Sequence, residues 1–212
     1  MKSEENAEQR KKKKSFDRVL VLVAAPPASG KSYIGKKIAG QFRDCAYMDL
    51  DSLNVLSEKI CDVRGEDFDK SGSFFRENGR EYEYEALFTL AWDVLSFCHV
   101  AVLTAPFSRE MKDPKRFEAI VERAGRCGAK VIPVWILSDE AVCRKNMFRR
   151  NAPRDQWKRE HFPDYIKEID FTRPTLIPEK YQVDNRGKET WKEDVRRIAG
   201  LIRDITEGQQ EE

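Results

Sequence analysis

The stretch VLVLVAAPPASGKSYIGKKIAG, residues 19–40, constrains this chain more than any other. An apolar run from Val19 to Ala24 passes through an Ala-Pro-Pro turn into Ser29-Gly30-Lys31-Ser32, and a helical pattern follows. A buried strand that delivers a lysine and a hydroxyl to the mouth of a helix is an arrangement suited to polyphosphate. The governing pattern is G-x-x-x-x-G-K-[ST], here with Ala25 in place of the first glycine. Backbone N–H groups of Pro27–Gly30 and of the helix start, Pro27 itself excepted, are expected to converge on phosphate oxygens. Gly30 permits close approach and torsions that a Cβ resists. Lys31 supplies a point charge to the β and γ phosphates, and the Ser32 hydroxyl is a Mg²⁺ ligand. Pro26 and Pro27 fix φ where Ala25 lacks glycine's freedom.

Composition sets the class. At 212 residues the chain suits one domain with a substantial core. Its 39 basic and 37 acidic residues leave a net charge of +2, so any nucleic-acid or phosphate field must be local. Five cysteines without a CxxC pair, beside two histidines, argue against zinc and disulfides and suit a reducing, cytoplasmic setting. Apolar runs are strand-sized, so no membrane span is expected. Residues 1–15, MKSEENAEQRKKKKS, carry a basic run with no signal-type apolar region after it and read as a disordered tail; an arm touching RNA or anionic membrane is the other reading.

Strand patterns at 19–24, 45–48, 100–104, 130–137 and 181–183 alternate with helical patterns at 31–42, 81–96, 114–127, 138–150 and 189–207. That alternation predicts an α/β architecture, a parallel sheet with helices on both faces. The helix at 138–150 opens with Ser138 as cap and Asp139 and Glu140 in its first turn. Residues 57–80 are mixed and glycine-punctuated and read as an insertion.

At PPASGKS the chain resembles the kinase branch of the P-loop NTPases, in which xPGSGKS is common: polynucleotide kinase, zeta-type toxins, chloramphenicol phosphotransferase, shikimate kinase and gluconokinase. The resemblance runs over residues 17 to 185 by order and spacing, with the P-loop its one specific motif. It implies a three-layer fold with a five-stranded parallel sheet over 16–208, ATP–Mg²⁺ as phosphoryl donor, and a helical lid at 144–173. In CAYMDLDSLN, Asp49 and Asp51 stand two apart at a strand end, where side chains share a face, so both carboxylates should reach the ligand edge of the sheet. The resemblance makes Asp51 the base or acceptor anchor and Asp49 the metal-side partner; the alternative is that Asp51 and Ser52 cap the next helix. In AVLTAPFSRE, Thr104 stands where a metal carboxylate is usual, which throws weight on Asp49, while Thr104, Ser108 and Arg109 either touch the acceptor or shape a turn.

Seven basic residues against Asp155 between 144 and 159 leave a local +6, a lid whose arginines would close over a triphosphate or else a solvated face. Arg150-Asn151 matches the lid's usual Arg-Gly, and Asn146 stands where an arginine is common, leaving Arg144, Arg149 or Arg154 to substitute. Within 57–80, Arg64, Arg76 and Arg80 are candidates for an anionic acceptor and Phe74, Phe75 and Tyr82 for stacking; a small helical cap is the plainer reading. VDNRGK, after the last strand, is a candidate frame for adenine. The expected function is an ATP- and Mg²⁺-dependent phosphotransferase: Lys31, Ser32 and Arg154 hold the donor, Asp51 takes the acceptor's proton, and Arg149 or Arg150 closes the lid. An ATP hydrolase or nucleotide-gated regulator, and a non-catalytic binding module, are the rivals. The acceptor is a small molecule or a nucleic-acid 5′ end, though no track of stacking aromatics is traceable; oligomeric state stays open.

Overall fold

Val19–Ala24 and Val100–Thr104 are buried at every position, which requires cover on both faces of the strands they form. The computed structural model describes residues 16–66, 68, 70, 72–152 and 155–208. The basic stretch 1–15 and Arg154 lie outside the described residues. Five strands form one parallel sheet: β1 (Arg18–Ala24), β2 (Cys45–Asp49), β3 (Val100–Thr104), β4 (Ala129–Leu137) and β5 (Gln182–Asp184), in the order β2-β3-β1-β4-β5. Register is set by Val19 opposite Val100 and Lys130, and by Trp135 opposite Gln182. The α/β class and the five parallel strands agree with the sequence reading.

Helices α1 (Lys31–Ala39) and α9 (Trp191–Thr206) pack on each other and against the sheet. In α9, Val195, Ile198, Ala199 and Ile202 are buried at helical spacing. On α1 the buried stripe is Ile34, Gly35 and Ile38. A Cβ on Gly35 would fall 2.4 Å from Thr104 Cγ2 and 3.2 Å from Tyr47, so this helix sits unusually close to β3 and β2. Helix α1 stops at Ala39, earlier than the 31–42 pattern, where Gly40 closes it.

Between β2 and β3 the chain forms a 3₁₀ turn (Leu50–Leu53), α2 (Asn54–Arg64), α3 (Ser73–Asn78) and α4 (Arg80–Val94). The segment read as an insertion is thus largely helical and has contacts of its own. Cys61 and Phe75 are buried, and Phe75 meets Phe68 edge-on at 5.8 Å. Helix α5 (Pro114–Arg126) begins with Asp113 accepting from the Lys115 N–H and a proline at its first position.

After β4 come α6 (Glu140–Arg150), α7 (Gln156–Glu160) and α8 (Phe162–Tyr165). Met147, Phe162 and Tyr165 form a second small core, packed on Ala28 of the loop before α1 and on Ile166 and Ile169. The cap of α6 is Asp139, whose Oδ1 accepts from Val142 N at 2.9 Å, and not Ser138. Ser138 is buried, with its hydroxyl against the Cys143 thiol, so the helix starts later than 138. Among the described residues, no helix is long and apolar enough to cross a membrane.

Replacing Asp139 with Ala should cost about 1 kcal/mol through the lost cap, lowering the melting temperature by about 2–4 °C for a chain of this size. Ser138→Ala should lower it less; thermal unfolding of both variants by circular dichroism checks the assignment.

Candidate active site

Three strands end at one cleft of about 820 Å³: β1 feeds the loop before α1, β2 ends at Asp49, and β3 ends at Thr104. This is the carboxyl edge of a parallel sheet, beside the strand where the order turns back on itself. The loop between β1 and α1 is built on two left-handed residues, Ala28 (φ 58°) and Gly30 (φ 91°). Such alternation turns successive N–H groups toward one side and carbonyls toward the other. The outward carbonyls are satisfied by side-chain amides. Asn146 Nδ2 donates to Ala28 O at 2.8 Å, and Asn185 Nδ2 donates to Ser29 O at 2.9 Å. A Cβ on Gly30 would fall 2.6 Å from that Asn185 amide, so glycine is required there twice over.

The demand for left-handed backbone falls on Ala28, not on Ala25, which is fully buried and not among the positive-φ residues. A Cβ in that region costs about 1–2 kcal/mol, and its methyl recovers contact with the Met147–Phe162–Tyr165 cluster. Pro27 and Ser29 do not line the cleft. They anchor the loop: the Cys143 thiol donates to Pro27 O at 3.2 Å, and the buried Ser29 hydroxyl lies 3.7 Å from the same sulfur. Pro27 has no N–H to offer an anion, and the Ser29 N–H lies 3.4 Å from Pro26 O.

Gly30, Lys31 and Ser32 face the cleft. Desolvation holds the Lys31 pKa below its ordinary value; the nearby charges of Asp51 and Asp49 oppose that shift and Arg150 adds to it. Asp49 and Asp51 both line the cleft, though not by strand alternation. The strand ends at Asp49, and Asp51 arrives through the 3₁₀ turn that Asp49 caps, Oδ1 accepting from Asp51 N at 3.1 Å. The true i, i+2 pair on β2 is Tyr47 and Asp49: the Tyr47 hydroxyl donates to Asp49 Oδ2 at 3.0 Å and lies 3.1 Å from Thr104 Oγ1. Burial pushes the Tyr47 phenol up to about 12, so it stays a donor.

Asp51 sits 3.9 Å from Lys70 Nζ, which is itself held at 2.9 Å by Glu83. Glu83 is buried and accepts a 2.6 Å hydrogen bond from Ser57. The 57–80 element therefore touches the site through Lys70. Its arginines do not line the cleft: Arg64 and Arg76 point to solvent, and Arg80 stacks on Tyr84 at 4.4 Å between Glu81 and Glu110. Phe75 is buried and Tyr82 exposed, both off the cleft. Arg109 is paired with Glu81 at 2.9 Å, and neither it nor Ser108 reaches the cleft, whereas Thr104 does.

From α6, Lys145, Asn146, Arg149 and Arg150 line the opposite wall. Arg150 is committed to the buried Asp155 carboxylate, with Nε at 2.9 Å. Arg144 lies over the Phe148 and Phe162 rings at 5.1 and 5.2 Å and serves packing. Among the described residues, Arg149 makes no ion pair. The floor is completed by Asn185, Arg186, Gly187 and Lys188, with Trp191 edge-on to Tyr33 at 5.4 Å. Sequence reasoning missed Tyr47 and the loop-closing roles of Asn146 and Asn185. Only Tyr47 carried a local signal, its place two before Asp49 on a strand.

Solved structures of similar fold include a candidate kinase from Chloroflexus aurantiacus, 18% identical over 89% of this chain and 98% of that one, with a TM-score of 0.60. A gluconokinase from Sinorhizobium meliloti matches at 16% identity over 91% and 95%, TM-score 0.51. The tunicamycin resistance protein of Deinococcus radiodurans matches at 12% over 88% and 94%, TM-score 0.51. The chain has the fold of the P-loop kinases. No protein-family model matches it, and no curated protein matches its sequence.

The expectation that the loop binds an anion is testable alone. An anion beside Lys31 should raise its depressed pKa, so binding of inorganic tripolyphosphate should take up protons between that depressed value and the ordinary 10.5. Calorimetry in alkaline buffers of different ionisation heats should show the uptake, and Lys31→Ala should abolish it.

Proposed function

We propose that this protein is an ATP- and Mg²⁺-dependent phosphotransferase that moves the γ-phosphate to a hydroxyl acceptor. The observation that carries the reading is the presence of Asp51, Lys31, Ser32 and Arg149 on one cleft, a proton acceptor facing a phosphate cradle. Lys31 and the loop N–H groups bind and orient the β and γ phosphates. Ser32 and Asp49 offer a hydroxyl and an oriented carboxylate on the same wall, a donor set that fits Mg²⁺, which is usually held by one or two protein oxygens besides phosphates and water. When bound, the ion neutralises charge on the bridging and transferring oxygens.

Asp51 accepts the acceptor's hydroxyl proton as its oxygen bonds to γ-phosphorus and the bond from phosphorus to the β–γ bridging oxygen breaks, leaving ADP. Lys31 and Arg149 meet the charge that spreads over the transferring oxygens, a task for positioned cations more than covalent help. Arg150, locked to Asp155, holds the chain beyond α6 in place, and Arg154 remains a donor-side candidate of the 144–173 lid. The 185–188 loop borders the phosphate cradle and frames the nucleoside. The 57–80 element covers the acceptor. Arg80 and Lys70 are already paired to carboxylates, so neither is counted as an anchor for the acceptor. A gluconokinase among proteins of this fold supports a small polyhydroxyl acceptor over a nucleic-acid end.

The test is transfer of labelled γ-phosphate from ATP–Mg²⁺ into a metabolite extract and, separately, into 5′-hydroxyl oligonucleotides. Label should enter a small molecule. Asp51→Asn should reduce the rate by about 10²–10⁴, and Arg149→Ala by about 10³ or more. Label appearing only as free phosphate, and surviving Asp51→Asn, would instead identify a hydrolase.

A further inference from the structure

Strand β3 ends in Thr104, so no carboxylate stands beside the phosphate loop at that register. The position is not idle. Thr104 is fully buried, and its hydroxyl lies 3.1 Å from the Tyr47 hydroxyl. That same phenol is 3.0 Å from Asp49 Oδ2 and 3.4 Å from the backbone carbonyl of Ser32. One oxygen thus spans β2, β3 and the start of α1.

Proton accounting gives the wiring a direction. An ionised Asp49 only accepts, so Tyr47 donates its single proton there. Thr104 then must donate to Tyr47, and the longer contact to Ser32 O is secondary. Asp49 Oδ1 is held from its other side by the Asp51 N–H at 3.1 Å. Both carboxylate oxygens carry one hydrogen bond each, and each keeps a free lone pair in a fixed plane. Close approach is possible because Gly35 carries no side chain; a Cβ there would strike both Thr104 and Tyr47.

We propose that Tyr47 is a positioning residue for Mg²⁺: with Thr104 behind it, its hydroxyl orients the Asp49 carboxylate against Ser32, doing through β2 what a carboxylate on β3 would otherwise do. The inference rests on the reading of Asp49 and Ser32 as the metal-side oxygens. Partners of this kind typically govern metal affinity by 10–100-fold. Tyr47→Phe keeps the ring beneath Lys36, 5.7 Å from its centroid, and removes only the hydroxyl.

Binding of a fluorescent ATP analogue, titrated with Mg²⁺ and repeated in EDTA, is the measurement. Tyr47→Phe should raise the Mg²⁺ concentration at half-saturation about tenfold or more, with affinity in EDTA and melting temperature near those of the native protein. Thr104→Val should shift it in the same direction by less, and Asp49→Asn should shift it most. Native Mg²⁺ dependence in Tyr47→Phe, alongside a shifted Asp49→Asn, would overturn the proposal. If Asp49→Asn also keeps native Mg²⁺ dependence, the proposal and the metal role of Asp49 fall together, whereas transfer of γ-phosphate that depends on Asp51 stands independently. Should Tyr47→Phe fail to fold, Thr104→Val decides: unchanged Mg²⁺ dependence there overturns the proposal.

Discussion

A loop that turns its N–H groups inward must leave its carbonyls facing the protein, and buried carbonyls need partners. Much of this molecule is arranged around that requirement. Asn146 reaches Ala28 O from α6, Asn185 reaches Ser29 O from beyond β5, and the Cys143 thiol reaches Pro27 O from beneath. These three donors lie more than 100 residues away in sequence from the carbonyls they serve. The loop is therefore the keystone that ties the segments after β4 and β5 to β1.

The same economy governs the carboxylates. Asp49 caps the turn that brings Asp51 forward, so one side chain both ends the strand and places its neighbour. Tyr47 fixes Asp49, and Glu83 fixes Lys70 next to Asp51. Asp49, which lines the cleft, is thus held by Tyr47, which does not line it.

Much of the architecture was legible in residue order. Continuous apolar runs marked β1 and β3, and helical spacing marked α9, because burial on both faces or one stripe leaves a local signature. The strand–loop–helix connection from β1 to α1 was legible for the same reason, its parts being contiguous. Helix edges were less so. Ser138 and Asp139 are both good caps, and only the burial of the Ser138 hydroxyl against Cys143 assigns the role to Asp139. Arg80 looked available for an anion until Glu110 and Tyr84 were found around it. A basic residue's availability depends on partners that sequence order does not bring near.

By itself the sequence determined the parallel α/β layering, through apolar runs and helical spacing local to each element, and the strand–loop–helix start with Gly30, Lys31 and Ser32 contiguous. Tertiary structure alone decided which of the cleft arginines is left without an ion pair among the described residues, which amides close the loop, and that the Thr104 hydroxyl meets that of Tyr47. Those outcomes depend on contacts across dozens to more than a hundred residues of chain, where packing distance and not spacing selects the partner.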